Sequence, residues 1–316
     1  MAKYLVTGGA GFIGSNISKE LVGLGHEVTV FDNFSTGKKE NLEKIPDKIK
    51  IIEGDLRDLE LVKKAFRGIE YVLHEAALPS VQRSVEDPAG TSEVNIMGTV
   101  NALIAARDNG IKRFVYAASS SAYGDTPTLP KKEEMKENPL SPYATGKLAG
   151  EHFCKVFAGI FKLETICLRY FNVFGPNQDP RSHYAAVIPK FITMIMKNEP
   201  PVIYGDGEQS RDFSFVENVV SANVLAATTA NKEAIGRTMN IACGEAFSLN
   251  QMVKMINEIV GKDIKPRYEE GRAGDIKHSL ADISVAGKLI GFRPKVTFRA
   301  GLAKTIDWYK ARSAGK

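Results

Sequence analysis

Short apolar runs alternate with amphipathic stretches through the first half of this chain. The runs typical of buried strands lie at 3–7, 27–31, 50–53, 70–74 and 112–118. Between them, apolar residues recur every three to four positions, as from Phe12 to Leu21, a spacing that predicts helices. Strands that alternate with helices pair in parallel through right-handed crossovers. The pattern therefore predicts an α/β fold around a doubly wound parallel sheet.

The second half continues the pattern less regularly. It predicts helices at 143–161, 218–230, 248–260, 288–292 and 300–310, and strands at 213–216 and 239–242. We expect 213–216 to return to the large domain and 239–242 to join a smaller lobe. The predicted division is residues 1–173, with a return segment at about 212–236, for the first domain, and 174–316 mainly for an interleaved C-terminal α/β domain that binds substrate.

Glycines follow the first apolar run at once. Gly9-x-Gly11-x-x-Gly14 lies between a predicted strand and a predicted helix, the context of a dinucleotide-binding fingerprint. Glycines permit the tight turn and let the backbone approach a pyrophosphate, which then faces the helix N-terminus. Asp32 ends the second strand 18 residues after Gly14. A carboxylate there binds ribose hydroxyls and repels a 2′-phosphate, which predicts a Rossmann-type domain that binds NAD rather than NADP.

Two further strand ends carry candidate cofactor contacts. Asp55 follows the third strand and is placed either to contact adenine or to cap the next helix. Ala76 and Ala77 follow the fourth strand, where small side chains permit close approach of a cofactor.

The fifth strand runs into Ser119-Ser120-Ser121, at the edge of the sheet where ligands bind. Ser119 is therefore either a hydrogen-bonding partner of a substrate hydroxyl or part of a polar loop. Tyr143 and Lys147 follow, four residues apart near the start of a helix, so both project from one face. A nearby ammonium favours the phenolate and lowers the pKa of a tyrosine, which suits Tyr143 to remove a proton from an alcohol.

Composition narrows the classes of function. The chain has 316 residues, 25% charged and 43% apolar, which is typical of a globular protein with a large core. Its net charge of +5 comes from scattered lysines, so we expect no nucleic-acid surface. We expect no signal peptide and no membrane span, since no apolar run approaches about 18 residues. The three widely spaced cysteines predict a reducing, cytoplasmic location, and the five histidines lack metal-ligand spacing.

Several motifs together resemble one enzyme family. They are Thr7-Gly-Gly-Ala-Gly-Phe-Ile-Gly14, Asn95-Ile-Met-Gly-Thr-Val-Asn101, Ser141-Pro-Tyr-Ala-Thr-Gly-Lys147, Leu168-Arg-Tyr-Phe-Asn172 and Arg211-Asp-Phe-Ser-Phe-Val216. Over nearly its whole length the chain is similar to nucleotide-sugar 4-epimerases of the extended short-chain dehydrogenase/reductase family. The resemblance implies bound NAD, a UDP-sugar substrate, and oxidation at C4 followed by hydride return to the other face of the sugar.

The resemblance also implies roles for individual residues. Ser119, Tyr143 and Lys147 form the catalytic set, with Tyr143 the base and Lys147 on the nicotinamide ribose. The implied cofactor-binding residues are Gly8, Gly11, Phe12, Ile13, Gly14, Asp32, Asn33, Ser35, Thr36, Gly37, Asp55, Leu56, Ala76, Ala77, Asn95, Tyr143, Lys147 and Tyr170. The implied substrate ligands are Asn172, Arg211 and Arg272 on the diphosphate, Ala186, Val187 and Tyr204 around uracil, Asp275 on ribose, and Ser80, Ser119, Ser120 and Ser279.

Two local features select among the chemistries of that family. Dehydratases and decarboxylases of the family carry carboxylates just after the catalytic hydroxyl residue, where this chain has Ser120 and Ser121. Epimerisation is therefore expected. Ser279 replaces a bulky tyrosine of epimerases restricted to UDP-glucose and UDP-galactose, which predicts room for a 2-N-acetyl group and hence UDP-GlcNAc and UDP-GalNAc as substrates.

Other interpretations stay open. They are an epimerase for UDP-glucose and UDP-galactose alone, a UDP-glucuronate 4-epimerase, a reductase, and a non-catalytic NAD-binding sensor. The apolar stripes on 94–109 and 143–161 predict, by the same resemblance, a homodimer through a four-helix bundle, or else packing within one chain.

Overall fold

A computed structural model describes residues 1–43, 45–179, 187–271 and 277–314 of the chain. Strands and helices are numbered in chain order. The strands are β1 Lys3–Thr7, β2 Glu27–Asp32, β3 Ile49–Glu53, β4 Tyr71–His74, β5 Arg113–Ser119, β6 Thr165–Tyr170, β7 Val173–Phe174, β8 Val202–Tyr204, β9 Ser210–Asp212, β10 Ser214–Phe215, β11 Thr238–Ile241, β12 Ala246–Ser248 and β13 Arg267–Glu269. The helices are α1 Phe12–Gly23, α2 Leu59–Ala65, α3 Val81–Glu86, α4 Pro88–Ser92, α5 Gly98–Asp108, α6 Pro142–Phe161, α7 Val187–Met196, α8 Val216–Thr228, α9 Leu249–Val260, α10 Ser284–Ile290 and α11 Phe298–Ala314.

The largest sheet contains seven parallel strands in the order β11-β6-β5-β4-β1-β2-β3. The chain leaves β1 toward β2 on one side and later returns to β4 on the other. That reversal is the switch point, where the carboxyl ends of the strands open a crevice for ligands. The predicted doubly wound α/β fold is confirmed.

Both faces of this sheet are covered, so its strands are almost continuously apolar. On one face, Leu5 and Phe114 pack with residues of α2, α5 and α6. On the other, Val6 and Val115 join a larger core that continues through α1 and α8 into α7, α9 and α11. The switch point is therefore held between two packed helical layers.

One predicted strand assignment, that of 239–242, is wrong. The segment predicted at 213–216 does form a strand, β10, which pairs with β7 in a separate two-stranded sheet, and its return to the large domain stays a prediction. The segment predicted at 239–242 forms β11, which is the edge strand of the large sheet beside β6 and not part of the smaller lobe. Strands this short carry too little hydrophobic pattern to identify the partner with which they pair.

The predicted helix beginning near Val94 is interrupted. Glu93–Met97 forms a π-helical turn between α4 and α5. Such wide turns are rare and occur frequently at functional sites. The helix predicted at 288–292 lies at Ser284–Ile290 because Gly291 ends it in a left-handed conformation.

The smaller lobe contains α7 and α9 and two short sheets, β9 with β12 and β8 with β13. No helix in the described part of the chain is long and apolar enough to cross a membrane. Within the same residues, no group of three or more His, Cys, Asp or Glu side chains is placed to hold a metal ion.

Candidate active site

The glycine turn after β1 brings a helix N-terminus to the switch point. Gly8 has a φ of +65°, and a Cβ there would lie 2.7 Å from Ala76 on the neighbouring strand end. A Cβ on Gly14 would collide with the carbonyl oxygen of Gly8. The first residue of α1 is Phe12, and Gly11 before it supplies no capping side chain. The first-turn amides of α1 therefore remain available for an anion.

Asp32 joins the glycine turn to the end of β2. Its Oδ2 accepts a hydrogen bond from the Ala10 amide at 2.9 Å, and its Oδ1 accepts one from the Phe34 amide at 2.8 Å. Burial raises the pKa of this carboxyl, and the two amide hydrogen bonds oppose that shift. A Cβ on Gly37 would lie 2.8 Å from the same carboxylate, so the loop after β2 passes close to it.

Asp55 does not cap a helix, so that alternative is wrong. The N-cap of α2 is Asp58, whose Oδ1 accepts from the Leu61 amide at 3.0 Å. The Asp55 carboxylate instead accepts hydrogen bonds from the Arg57 guanidinium at 2.9 Å and from the side-chain amide of Asn33 at 3.0 Å. These hydrogen bonds, that of Arg57 first, lower the pKa of Asp55 to about 2.

These groups line a cavity of about 560 Å³. It runs from Asp55 past the glycine turn to the loop after β4. The predicted cofactor residues along it are Gly8, Gly11, Phe12, Ile13, Gly14, Asp32, Asn33, Ser35, Thr36, Asp55, Leu56, Ala76 and Ala77. A cleft with carboxylates at one end and an uncapped helix N-terminus in the middle fits a dinucleotide such as NAD.

Other predicted cofactor residues lie outside the lining of this cavity. Asn95 is buried, and its side chain bonds both the amide of Leu78, at 2.8 Å, and the carbonyl of Leu78, at 3.2 Å. It therefore shapes the wall formed by the loop after β4. The residues that line the cavity likewise do not include Gly37, Tyr143, Lys147 or Tyr170.

The cavity also has a wall that sequence reasoning missed. Residues 177–179 line it, and contacts across the cleft fix this segment. Asn177 donates to Ser15 Oγ at 3.0 Å, and Asn16 donates to the Pro176 carbonyl at 3.0 Å. Lys38 forms an ion pair with Asp179. These partners lie more than 140 positions apart in the chain, so no local pattern could have indicated them.

The three predicted catalytic residues come together at the end of β5. Ser119 is its last residue, and its hydroxyl lies near enough to the phenol of Tyr143 to influence the pKa of that phenol. Ser121 Oγ in turn donates to Ser119 Oγ at 2.9 Å. The amide of Tyr143 donates to Ser84 Oγ at 3.1 Å, which fixes the start of α6 against α3. Burial raises the pKa of Tyr143 and the Ser119 hydroxyl opposes that shift, so the lowered pKa expected from the nearby lysine is not found.

Lys147 lies one turn further along α6. Its side chain is only 3% exposed, and Nζ donates to the Ala117 carbonyl at 2.8 Å. Burial lowers the pKa of Lys147 to about 8, while the carboxylates of Glu75 and Glu151 favour its charged form. A buried lysine whose pKa lies near neutrality, one helical turn from a half-buried tyrosine, is the arrangement expected of an acid–base centre.

A second cavity of about 380 Å³ lies beside β7 and the smaller lobe. The predicted substrate residues along it are Asn172, Val187, Tyr204 and Arg211. Lys190, Gln209 and Phe213 line it too, and no local pattern in the chain indicated them. Since β5 lies between β4 and β6 in the sheet, Ser119 comes between the loop that bounds the first cavity and Asn172 of the second.

The remaining predicted substrate residues are placed differently. Ser80 caps α3 through the Arg83 amide at 3.0 Å, and Ser120 begins the turn after β5. Ser279 pairs through its backbone with Ser210 and Asp212, on either side of Arg211, and does not line the second cavity. The predictions for Ala186, Arg272 and Asp275 lie outside the described residues.

Comparison with known families agrees with this geometry. The model of the NAD dependent epimerase/dehydratase family matches residues 4–242. This chain belongs to that family. The predicted membership, enzyme class and NAD cofactor are confirmed.

Relatives match along the whole chain. The UDP-glucose 4-epimerase of Mycolicibacterium smegmatis is 36% identical over 314 residues, covering 98% of this chain and 99% of the relative. A UDP-N-acetylglucosamine 4-epimerase from Methanobrevibacter ruminantium, solved with UDP-N-acetylmuramic acid, superposes with a TM-score of 0.93 at 42% identity, covering 98% and 99% of the two chains. The UDP-glucose 4-epimerase of Thermus thermophilus, solved with NAD, has a TM-score of 0.87 at 36% identity, covering 97% and 98%.

Proposed function

We propose that this protein inverts C4 of a UDP-hexose through a 4-keto intermediate. The observation that supports this proposal best is the position of Ser119, between the two cavities, together with Tyr143 and Lys147 at the start of α6. A sugar reaching out of the second cavity would present its C4 hydroxyl to Tyr143 and its C4 hydrogen to the cofactor cleft. Ser120 and Ser121 offer no carboxylate beside this centre, which favours epimerisation over dehydration or decarboxylation.

The chain's own residues would handle the proton. Tyr143, as phenolate, takes the proton of the C4 hydroxyl and later returns it to the ketone oxygen. The Lys147 ammonium favours the phenolate, and Ser119 donates to the oxygen atom that becomes the ketone. NAD, when bound, accepts the hydride from C4 and gives it back. Asp32 would hold its adenosine ribose and the N-terminus of α1 its pyrophosphate.

The second cavity would hold the uridine diphosphate. Arg211 and Asn172 provide donors for phosphate oxygens, and Tyr204 provides an aromatic wall for the base. In this proposal residues 1–173, with a return segment at about 212–236, bind cofactor, and 174–316 mainly bind substrate. The UDP-N-acetylglucosamine epimerase among the relatives and the small Ser279 support N-acetylated sugars as substrates, with UDP-glucose as a second.

Proton NMR of the purified protein, with no NAD added, tests the activity. Separate samples receive UDP-GlcNAc, UDP-glucose and UDP-glucuronate. We expect the galacto anomeric signal to grow with the first two. Conversion of UDP-glucuronate alone would favour the uronate epimerase, and NAD content without conversion of any sugar would favour a binding sensor.

Substitution Ser279→Tyr tests the choice of sugar. The larger ring should lower kcat/KM for UDP-GlcNAc at least tenfold relative to UDP-glucose, since it removes space for the acetamido group. Ser284→Tyr, at the start of α10, is the matched control. Equal effects on both sugars would contradict a role for Ser279 in selection.

We also propose that the protein is a cytoplasmic homodimer. Apolar side chains are exposed on α6, where Ile160 is 69% and Val156 45% exposed. They are also exposed on α3, where Val85 is 65% exposed, and on the π-helical turn before α5, where Met97 is 54% exposed. A second copy would cover them in a four-helix bundle. Light scattering of Ile160→Glu should show monomers where the parent chain shows dimers; an unchanged mass would contradict the interface.

A further inference from the structure

Glu75 lies at the switch point and has no part in the mechanism above. It directly follows β4, and its amide donates to the Thr7 carbonyl at 3.2 Å, next to the glycine turn. It lines the cofactor cleft at the end away from Asp55. A carboxylate in this position is costly unless neighbouring groups stabilise it. Its surroundings show which groups those are.

A chain of hydrogen bonds fixes the direction of the Glu75 side chain. Tyr170 Oη donates to Glu75 Oε1 at 2.8 Å, and Asn223 Nδ2 donates to Tyr170 Oη at 2.7 Å. Asn223 is fully buried on α8, behind the sheet. Because the amide occupies a lone pair of the phenol oxygen, the single O–H of Tyr170 points at the carboxylate. Glu75 is therefore held by a support that is anchored on α8.

The charge of Glu75 acts on Lys147. Two carboxylates favour the ammonium form of that lysine, Glu75 more strongly than Glu151. Glu151 is already engaged, since Arg169 Nε and Nη2 donate to its two oxygens at 2.9 and 2.7 Å. Burial raises the pKa of Glu75 to about 7, and the Tyr170 bond and the Lys147 charge oppose that shift. Glu75 is thus the carboxylate whose charge is directed at the reacting end of the cleft.

We propose that Glu75, held in place where it lines the cleft, biases the cleft toward the oxidised, cationic form of the nicotinamide. A fixed negative charge stabilises a cationic ring relative to the neutral ring that hydride transfer produces. This bias would favour return of the hydride to the sugar once C4 has been oxidised. The benefit of this bias rests on the proposed function, because only an epimerase returns the hydride to the sugar. The preference for one form of the cofactor over the other depends on the cleft alone.

The test is an equilibrium competition on the purified enzyme at mildly alkaline pH. The holoenzyme is incubated with a fixed mixture of NAD and NADH, and the ratio of the two bound forms is measured after rapid gel filtration. Glu75→Gln keeps the size and an acceptor for Tyr170 but removes the charge. We expect the bound NADH-to-NAD ratio to rise about 3- to 10-fold. Tyr170→Phe, which keeps the charge, should change the ratio less than Glu75→Gln.

Kinetics supply the second readout. Glu75→Gln should lower kcat about tenfold with the KM for the UDP-sugar within about twofold, since the second cavity is untouched. An unchanged bound ratio in Glu75→Gln, or equal ratios in Glu75→Gln and Tyr170→Phe, would overturn the proposal. Because the competition contains no sugar, failure of the proposed epimerase activity would leave its result intact and separately interpretable.

Discussion

The cofactor cleft and the second cavity described above are built in different ways. The cofactor cleft lies along the carboxyl ends of long parallel strands, and its polar groups are individually fixed, as Asp32 is by two amides and Asn95 by both backbone atoms of Leu78. The second cavity lies among helix α7, strands of two or three residues and the loops between them, with Asn172 in a positive-φ conformation. One is set by a long-stranded sheet, and the other by a helix, short strands and loops.

This difference assigns the hydride and proton transfers to the cofactor cleft and the choice between UDP-sugars to the second cavity. A sheet buried on both faces holds the glycine turn, Ser119 and the start of α6 in fixed relation, so the hydride and proton steps do not depend on which sugar is bound. Substitutions in short strands and loops disturb the packed core little. We therefore expect substrates to be distinguished in the cavity that these segments line. Changes to the cleft should therefore affect every sugar alike.

The largest effect is expected from Tyr143→Phe. Losing the general base should lower kcat about 1000-fold for every UDP-sugar that is turned over, since such groups contribute about 100- to 10,000-fold. NAD content should be unchanged. Tyr268→Phe, at a tyrosine 52% exposed in the smaller lobe, is the control. A loss confined to one sugar would break the separation of chemistry from selection.

Arg211→Met changes a residue of the second cavity and should therefore weaken substrate binding rather than the chemical step. Losing charge-assisted hydrogen bonds to a diphosphate, worth about 1.5–3 kcal/mol, should raise KM about 10- to 100-fold with kcat within a few-fold and NAD content unchanged. Initial rates across substrate concentrations measure this, and Arg237→Met, at an exposed arginine, is the control. A fall in kcat with constant KM would place Arg211 in the chemistry instead.

His74, the last residue of β4, is buried between Thr7 at the end of β1 and Thr99 on α5. Thr99 Oγ1 donates to the Asn95 carbonyl, so His74 Nε2 donates to Thr99. In the neutral ring that burial favours, Nδ1 accepts from Thr7. Burial, with the Lys147 charge, lowers the pKa of His74 from 6.5 to about 3. Below pH 6.5 the unfolded chain therefore binds a proton that the folded protein does not.

Stability from this histidine is present above pH 6.5 and is lost as the pH falls toward 3. It should contribute a slope of about 1.4 kcal/mol per pH unit, measured by urea unfolding at several pH values in that range. His74→Gln should flatten the slope. His278→Gln, at an exposed histidine of the smaller lobe, should not. Equal slopes in all three proteins would contradict the neutral ring.

The smallest effect is expected at the ion pair across the cleft. Partly exposed pairs contribute about 0–1 kcal/mol, so Lys38→Met should shorten the residence time of NAD by up to about 5-fold. Loss of NAD absorbance after rapid dilution and filtration measures it. Lys39→Met, which removes an exposed pair with Glu53, is the control. Identical residence times would mean that the remaining contacts of residues 176–179 hold that wall unaided.

Sequence reasoning succeeded where chemistry is tied to a regular element. The glycine turn and Asp32 lie at strand ends, and Tyr143 and Lys147 share a helix face, so spacing alone predicted their geometry. It failed where contacts join distant parts of the chain. Examples are the pairing of β11 with β6 in the large sheet and the hydrogen bond from Tyr170 to Glu75. Asn95, singled out by its family-like motif, bonds the backbone of Leu78 on both sides of its amide, and its role as a cofactor ligand stays a prediction.

The central claim is that hydride leaves C4 and returns to the same carbon on a cofactor that stays in the cleft. The most direct measurement is mass spectrometry of UDP-sugar deuterated at C4, converted by the purified enzyme in ordinary water with excess unlabelled NADH present. The account predicts an epimerised product that retains its deuterium. Loss of the label would show exchange of the hydride with solvent or with free cofactor, and would contradict the account.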